Sequence, residues 1–214
     1  MLAIYKKEMR SYFINPIGYV YVGVFLGLAA LLCCFSTVLA GTYDTTPYFM
    51  YMMFALIILI PILTMRLFAE ERKLRTEQLL LTAPVTLTGM VLGKFLAAFT
   101  LYASTLLVSC INFIPLYVIA DTERGSQEYA IKHIGPVTGQ LIGCLVSLLL
   151  VGAAFIAIGT FISALTENQL AAAIITIAVI GAMVGIGFLH TCIKQMVRYG
   201  RERIDLKHLG VSKP

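Results

Sequence analysis

The stretch that decides the fold runs from Tyr48 to Lys94 and changes character once. It begins YFMYMMFALIILIPILTM, residues 48–65, an apolar run without a charged residue. It continues RLFAEERKLRTEQLLLTAPVTLTGMVLGK, residues 66–94, with five basic and three acidic residues. Another uncharged apolar run follows at once. Because such runs belong in lipid, the charged segment 66–94 is the largest part of the chain's middle that a water-soluble partner could touch.

The composition of the whole chain indicates an integral membrane protein. Of the 214 residues, 59% are hydrophobic and 13% are charged, whereas a soluble domain carries about 25% charged residues. The net charge of +5 is spread along the chain, unlike the clustered basic surface of a nucleic-acid-binding domain. The five cysteines form no C-x-x-C pair. We therefore expect no nucleic-acid partner and no metal site.

Five apolar runs are long enough to cross a bilayer, which takes about 20 residues. In the third run, Pro115 either kinks the helix or ends it early. Small residues in the fourth, among them Gly143, Ser147 and Gly152, allow close contacts between helices. We predict an all-α polytopic helical bundle whose spans lie at about residues 17–40, 48–65, 95–120, 137–165 and 170–190.

Residues 1–15 predict an amphipathic helix on the membrane surface, because apolar and basic side chains fall mostly on different sides of the helix. Asn15-Pro16 should break it before the first span. The alternatives are a basic flank that only sets topology, or a signal peptide, although the following apolar run of about 24 residues exceeds a signal's usual 7–15. The residues assigned to this interface helix are Tyr5, Lys6, Lys7, Met9, Arg10, Tyr12 and Phe13.

The distribution of Lys and Arg predicts the orientation of the spans. The N-terminus and the charged segment are rich in basic residues, whereas the loop 41–47 has none. We therefore expect the N-terminus and the charged segment on the cytoplasmic side. Five spans then place the tail 191–214, with its six basic residues, on the outer face, against the rule. Either the tail lies outside, or the last span is a hairpin, or the chain is an incomplete version of a six-span protein.

Motifs of catalysis are absent from the sequence. It has no G-x-x-x-x-G-K-[ST] for ATP phosphates and no H-E-x-x-H or G-x-S-x-G. The spans also lack the ionisable residues that proton-coupled transporters and ion channels place at membrane depth. We expect a chain that is not an enzyme and that binds no cofactor. If it moves a substrate, the energy enters from another subunit.

The charged segment itself predicts a surface helix from Leu67 to about Leu81, ended by Ala83-Pro84. Its charged residues mark a water-exposed side, whereas Leu79, Leu80 and Leu81 form an apolar patch. A purely solvated loop has no use for such a patch. We expect it to contact a partner or the membrane surface.

Two motifs here resemble those of a known family. F-A-E-E-R-x-x-x-T-E-Q-L-L-L-T-A-P-V, residues 68–85, followed by L-G-K-F at 92–95, resembles the ABC-2 type transporter permeases, most closely the gliding-motility-associated branch. Arg75 stands where this branch usually has Gly. The N-terminal K-K-E-M-R-S-Y-F-I-N-P-I-G-Y, residues 6–19, and T-E-N-Q, residues 166–169, resemble the branch too. The resemblance covers about residues 1–189.

The resemblance implies the membrane subunit of an ATP-binding cassette exporter in the bacterial inner membrane. Such permeases pair with a second copy or a paralogue, and a separate cytoplasmic ATPase holds ATP and magnesium. The loop after their second span forms a coupling helix that docks on the ATPase. Here that element is Glu70–Pro84, and the residues assigned to coupling are Glu70, Glu71, Arg72, Thr76, Glu77, Leu79, Leu80, Thr82 and Pro84.

The resemblance also implies a sixth span, and the tail 191–214 contains no apolar run that could form it. Residues 198–209 resemble the family's outer-face segment before that span, so we expect a truncated chain. The alternative function is a non-transporting membrane scaffold or assembly factor, because packing alone explains apolar spans. An intramembrane enzyme would need polar or metal-binding pairs at matched depth, and the spans contain none.

Overall fold

The computed structural model describes residues 2–14, 16–41, 44–69, 87–126 and 138–208, which are almost entirely helical and include no strand. The chain divides into two compact units, Met1–Ile177 and Ala178–Pro214. The helices are α1 Leu2–Ile14, α2 Pro16–Cys33 with a π-helical turn Cys34–Val38, α3 Thr46–Thr64, α4 Leu87–Ser109 with a 3-10 turn Cys110–Phe113, α5 Ile114–Ser126, α6 Thr138–Leu165 and α7 Gln169–His208.

Within the part of the chain that the structure describes, five helical stretches are apolar and long enough to cross a membrane. They are Gly18–Thr37, Thr46–Thr64, Thr88–Ala120, Thr138–Leu165 and Gln169–Tyr199. Their outward side chains, such as Leu107, Leu150 and Phe161, are apolar and exposed, which suits contact with lipid. The prediction of an all-α polytopic membrane protein with five spans is confirmed.

The chain turns sharply between α1 and α2, where the sequence predicted a break at Asn15-Pro16. α1 ends at Ile14 and α2 begins at Pro16, because proline is tolerated in the first turn of a helix but not in its interior. Gly18 lies so close to α1 that a Cβ there would overlap the carbonyl oxygen of Tyr12. The corner therefore needs glycine at this position for steric reasons.

Pro115 interrupts the third span without ending it. Proline lacks the N–H that would bond the carbonyl of Ile111 four residues earlier. That carbonyl instead accepts the N–H of Ile114, and the turn Cys110–Phe113 tightens to 3-10 geometry. The helix then resumes as α5, so Pro115 does not end the span early.

Contacts along the helices define two ends of the bundle. At the start of α3 and α6, the Gln140 side-chain amide donates to the Thr46 hydroxyl at 2.6 Å, and near their ends Gly159 packs on Thr64. These two helices therefore run in the same direction. α4 runs the opposite way, since its Lys94 meets Leu67 just after α3. We call the end around Leu67 the stem end and the end around Thr46 the far end.

The core of the bundle is apolar, and small residues bring α4 close to α6. Phe25, Met52, Leu56 and Ile156 are fully buried. A Cβ at Gly152 would overlap the ring of Tyr102, whose hydroxyl donates to the Leu148 carbonyl at 2.8 Å. The close contact predicted at Gly152 is therefore present, whereas a Cβ at Gly143 would meet nothing within 4 Å.

Two helix boundaries differ from those of the predicted spans. The first is in the third span, where α4 begins at Leu87 rather than at about residue 95 and takes in Lys94, which the sequence had placed on the exposed segment. A lysine was expected to end the span because its charge favours water. Lys94 can lie inside the bundle because its charge has partners there. The second boundary is in the tail, where α7 continues past residue 190 to His208. Lys and Arg are good helix formers, so their charge does not end a helix.

Candidate functional site

The residues assigned to coupling lie outside the described residues, and their assignment stays a prediction. They are Glu70, Glu71, Arg72, Thr76, Glu77, Leu79, Leu80, Thr82 and Pro84. The structure does describe where the chain enters and leaves this segment. We call the entering residues, Met65–Ala69, the stem; the chain is described again from Leu87, the first residue of α4.

The stem is a turn that continues from the last residues of α3. The N–H of Met65 bonds the Pro61 carbonyl at 2.9 Å, and the N–H of Leu67 bonds the Thr64 carbonyl at 3.2 Å. Leu67 and Ala69 are buried, and Arg66 and Phe68 are half-buried. The chain therefore leaves the bundle from a packed position.

Lys94 of α4 brings three groups together at the stem. Its side chain is 1% exposed, and its ammonium bonds a Glu8 carboxylate oxygen at 3.2 Å. It also donates to the Leu67 carbonyl and lies 4.9 Å from the centre of the Phe68 ring. A buried ammonium is costly unless it is paired and hydrogen-bonded, so these contacts are what allow Lys94 to be inside.

Ser163 of α6 holds the other side of the stem. Its hydroxyl oxygen accepts the backbone N–H groups of Phe68 at 3.2 Å and Ala69 at 3.4 Å. The same hydroxyl donates to the Met65 carbonyl at 3.4 Å. Ser163 is fully buried, so these backbone groups have a protein partner where water is excluded.

The N-terminal helix contributes the acidic residue of this site. Ile4, Glu8 and Tyr12 are spaced four residues apart, so they form one row on α1. Ile4 and Tyr12 are buried, Glu8 is 14% exposed, and α1 packs against α4 and α2. The Tyr12 hydroxyl donates to the Leu63 carbonyl at 3.5 Å, in the last turn of α3.

The seven residues assigned to the interface helix all lie on α1, but they do not share one environment. Tyr12 is buried, Tyr5 and Met9 are half-buried, and Lys6, Lys7, Arg10 and Phe13 are exposed. Their assignment to a membrane-surface helix stays a prediction, and Phe13 differs from Tyr12 in being exposed. The Phe13 ring packs on Tyr19 at the start of α2, with centroids 6.0 Å apart.

This arrangement suits mechanical fixation. Side chains of α1, α4 and α6 converge near the five residues from which the charged segment departs. Within the described ranges, no group of three or more His, Cys, Asp or Glu could hold a metal ion. We interpret the stem site as an anchor for the charged segment.

Comparison with known proteins agrees with this membrane architecture. A family model described as ABC-2 family transporter protein matches residues 36–197, well over half of the chain. The chain belongs to the ABC-2 transporter family. It is a multi-pass membrane component of the ABC-2 type, a permease, in a family whose members work with an ATPase partner. No curated protein and no solved structure matches the chain significantly, and its place in the gliding-motility branch stays a prediction.

Three residues of the ABC-2 stem site were not predicted as site residues from the sequence. Lys94 was noticed as part of a motif but was expected in water, and Glu8 and Ser163 were not assigned. Glu8 carried a usable signal, because it lies four residues from both Ile4 and Tyr12 on a short helix. Ser163 carried none, since a serine in an apolar span usually bonds its own helix.

The far end of the permease has a hydrogen-bonded group of a different kind. Asp44 accepts the Thr46 backbone N–H at 2.9 Å and the Thr46 hydroxyl at 2.6 Å. The same hydroxyl accepts the amide of Gln140, and all three side chains are exposed. The Thr46 hydroxyl first, and its N–H second, hold the pKa of Asp44 below its ordinary value.

Proposed function

We propose that this chain is the translocating subunit of an ATP-driven exporter and that Glu70–Pro84 couples it to a separate cytoplasmic ATPase. The observation that carries the proposal is the anchoring of the stem. A segment that receives force from a soluble partner must be fixed to the spans at its base, or its motion would be absorbed locally. Lys94 and Ser163 fix the stem from two different spans.

The exposed side of α1 supports a position on the cytoplasmic membrane surface. Lys6, Lys7 and Arg10 are exposed beside Phe13 and Ile14, which are 48% and 69% exposed. Basic and apolar side chains in the same exposed region are typical of helices that lie between lipid headgroups and acyl chains. We further propose that two such chains pair in the bacterial inner membrane.

Orientation is testable by labelling single cysteines in a variant without the five native ones. In intact cells with a permeable outer membrane, Asp44→Cys should react with a membrane-impermeant maleimide and Lys6→Cys should not. Both should react after the cells are opened, which controls for buried positions. Reaction of Lys6→Cys in intact cells would overturn the cytoplasmic placement of α1.

Coupling is testable with the ATPase that co-purifies with this permease. Crosslinkers placed within residues 70–84 should capture that ATPase, and Glu71→Lys should abolish its stimulation by the permease. Glu167→Lys is the matched control, because Glu167 is an exposed glutamate in the turn after α6, near the stem end. Stimulation that survives Glu71→Lys, or that fails equally in both variants, would contradict coupling through this segment.

A further inference from the structure

One ammonium group joins the N-terminal helix to the stem. The Lys94 side chain bonds the carboxylate of Glu8 on α1 and the carbonyl of Leu67 in the stem. The Phe68 ring lies beside the same nitrogen. Because Lys94 is 1% exposed, its ammonium cannot replace either partner with bulk water. Displacing the stem therefore disturbs the contact to Glu8, and displacing α1 disturbs the contact to Leu67.

This connection is long in sequence and crosses the limit of the family match. Glu8 and Lys94 are 86 residues apart, and Glu8 lies before residue 36, where the match begins. If the Glu8–Lys94 pair served only to fill the core, apolar side chains of similar volume would stabilise the fold as well or better. A buried ion pair instead favours the one geometry in which the two charged groups stay in contact.

We propose that Lys94 is a positioning residue that makes α1 and the stem move as one body. Motion of the charged segment, received through the stem, then displaces α1 along the membrane surface. The inference rests on the proposed coupling function for the direction of this motion. The mechanical link between α1 and the stem is a property of the permease alone and can be measured without a partner.

The experiment is hydrogen–deuterium exchange of the full-length permease in lipid nanodiscs, read in peptides that contain α1 and in peptides that contain the stem. Lys94→Met should speed exchange in both, by about tenfold or more, because removing one member of a buried pair costs several kcal/mol. Glu8→Gln should speed exchange in both by a smaller factor. It also serves if Lys94→Met fails to fold, since Glu8 is partly exposed.

Tyr5→Phe is the matched control for loosening α1 by another route. The Tyr5 hydroxyl bonds the Thr100 hydroxyl of α4 at 3.4 Å and is not among the contacts that hold the stem. Because Lys94 still holds Glu8 and Leu67 in this variant, α1 is not displaced as a whole, and exchange should rise only locally, around Tyr5, with the stem peptides unchanged. If Glu8→Gln behaves like Tyr5→Phe, the ion pair does not link α1 to the stem and the inference is overturned.

A second measurement separates this inference from the proposed function. In the complex with the co-purified ATPase, Glu8→Gln should lower stimulation of ATP hydrolysis without lowering the amount of ATPase bound. If Glu8→Gln speeds exchange in both α1 and the stem but no ATPase binds the permease, the link between α1 and the stem stands and the proposed coupling to an ATPase is overturned. Normal binding and stimulation in Glu8→Gln, with only α1 loosened, would keep the partner and overturn the link.

Discussion

The stem end and the far end of the bundle are stabilised by different chemistry. At the stem end, Lys94 and Ser163 are buried and bind backbone groups of a turn. At the far end, Asp44, Thr46 and Gln140 form exposed hydrogen bonds, and Tyr48 packs edge-on against Phe113 at 5.0 Å in the interior. Aromatic packing holds helices together but fixes no backbone turn. Buried polar groups fix the turn itself, which is what a segment that transmits force requires.

The two ends should differ most in the free energy of unfolding that is lost when one polar side chain is removed at each end. Lys94→Met leaves the Leu67 carbonyl and the Glu8 carboxylate without their buried partner. We expect a loss of about 3–5 kcal/mol in the free energy of unfolding. Gln140→Leu at the far end should cost less than about 1 kcal/mol, because its hydrogen bond is exposed. Unfolding in mixed micelles measures both, and equal losses would remove the distinction between the ends.

The next effect comes from the serine that holds the stem. Ser163→Ala leaves the buried N–H groups of Phe68 and Ala69 without their acceptor, at a cost of about 1–3 kcal/mol. Ser104→Ala is the control, since the exposed Ser104 bonds the Leu101 carbonyl of its own helix. We expect that variant within about 0.5 kcal/mol of the parent. If both serines are dispensable for stability, α6 does not hold the stem.

Between the two ends, the effect of a Gly→Ala substitution on stability should depend on how closely the glycine is packed. Gly152→Ala must displace the Tyr102 ring, and overpacking of this kind costs about 1–3 kcal/mol. Gly143→Ala on the same helix meets open space and should gain up to about 1 kcal/mol from helix propensity. Melting temperatures of the two variants should therefore move in opposite directions. A shift of the same sign in both would contradict the close contact of α4 and α6.

The smallest effect is the pH dependence of the far end. The pKa of folded Asp44 is lowered below 3.8, chiefly by the Thr46 hydroxyl. Its stabilising contribution is therefore complete above the pKa of the unfolded chain and is lost as the pH falls through the lowered folded pKa. Asp44→Ala should lower the melting temperature slightly at about pH 6, and this difference should shrink towards about pH 3. If the gap in melting temperature between Asp44→Ala and the parent grew as the pH fell, the stabilising role of ionised Asp44 would be contradicted.

Much of the fold could be predicted from sequence because spans are local. Each apolar run meets the bilayer through its own side chains, so length and hydrophobicity suffice to find it. The break at Pro16 and the 3-10 turn before Pro115 follow from the N–H that proline lacks. The boundary at Lys94 could not be predicted in this way, because whether a lysine is buried depends on partners that the local sequence does not contain.

The candidate site was predicted only in part for the same reason. The charged segment was recognised from its own residues, and the family assignment agrees with the match over residues 36–197. Its anchorage depends on Glu8 and Ser163, which lie 86 residues before Lys94 and 95 residues after Phe68. No local pattern marks such pairs, just as none marks the packing of Phe13 on Tyr19 of α2.

The sequence by itself determined that this ABC-2 chain is an all-α membrane protein with five apolar runs long enough to span a bilayer, because transfer of an apolar run into lipid is a sum over neighbouring residues. Only the tertiary structure decided that Lys94 is inside the bundle, that α1 supplies its carboxylate and that Ser163 holds the stem. Burying an ammonium or a backbone N–H is favourable only when a partner is in place. Those partners are distant in sequence and become neighbours only when the helices pack.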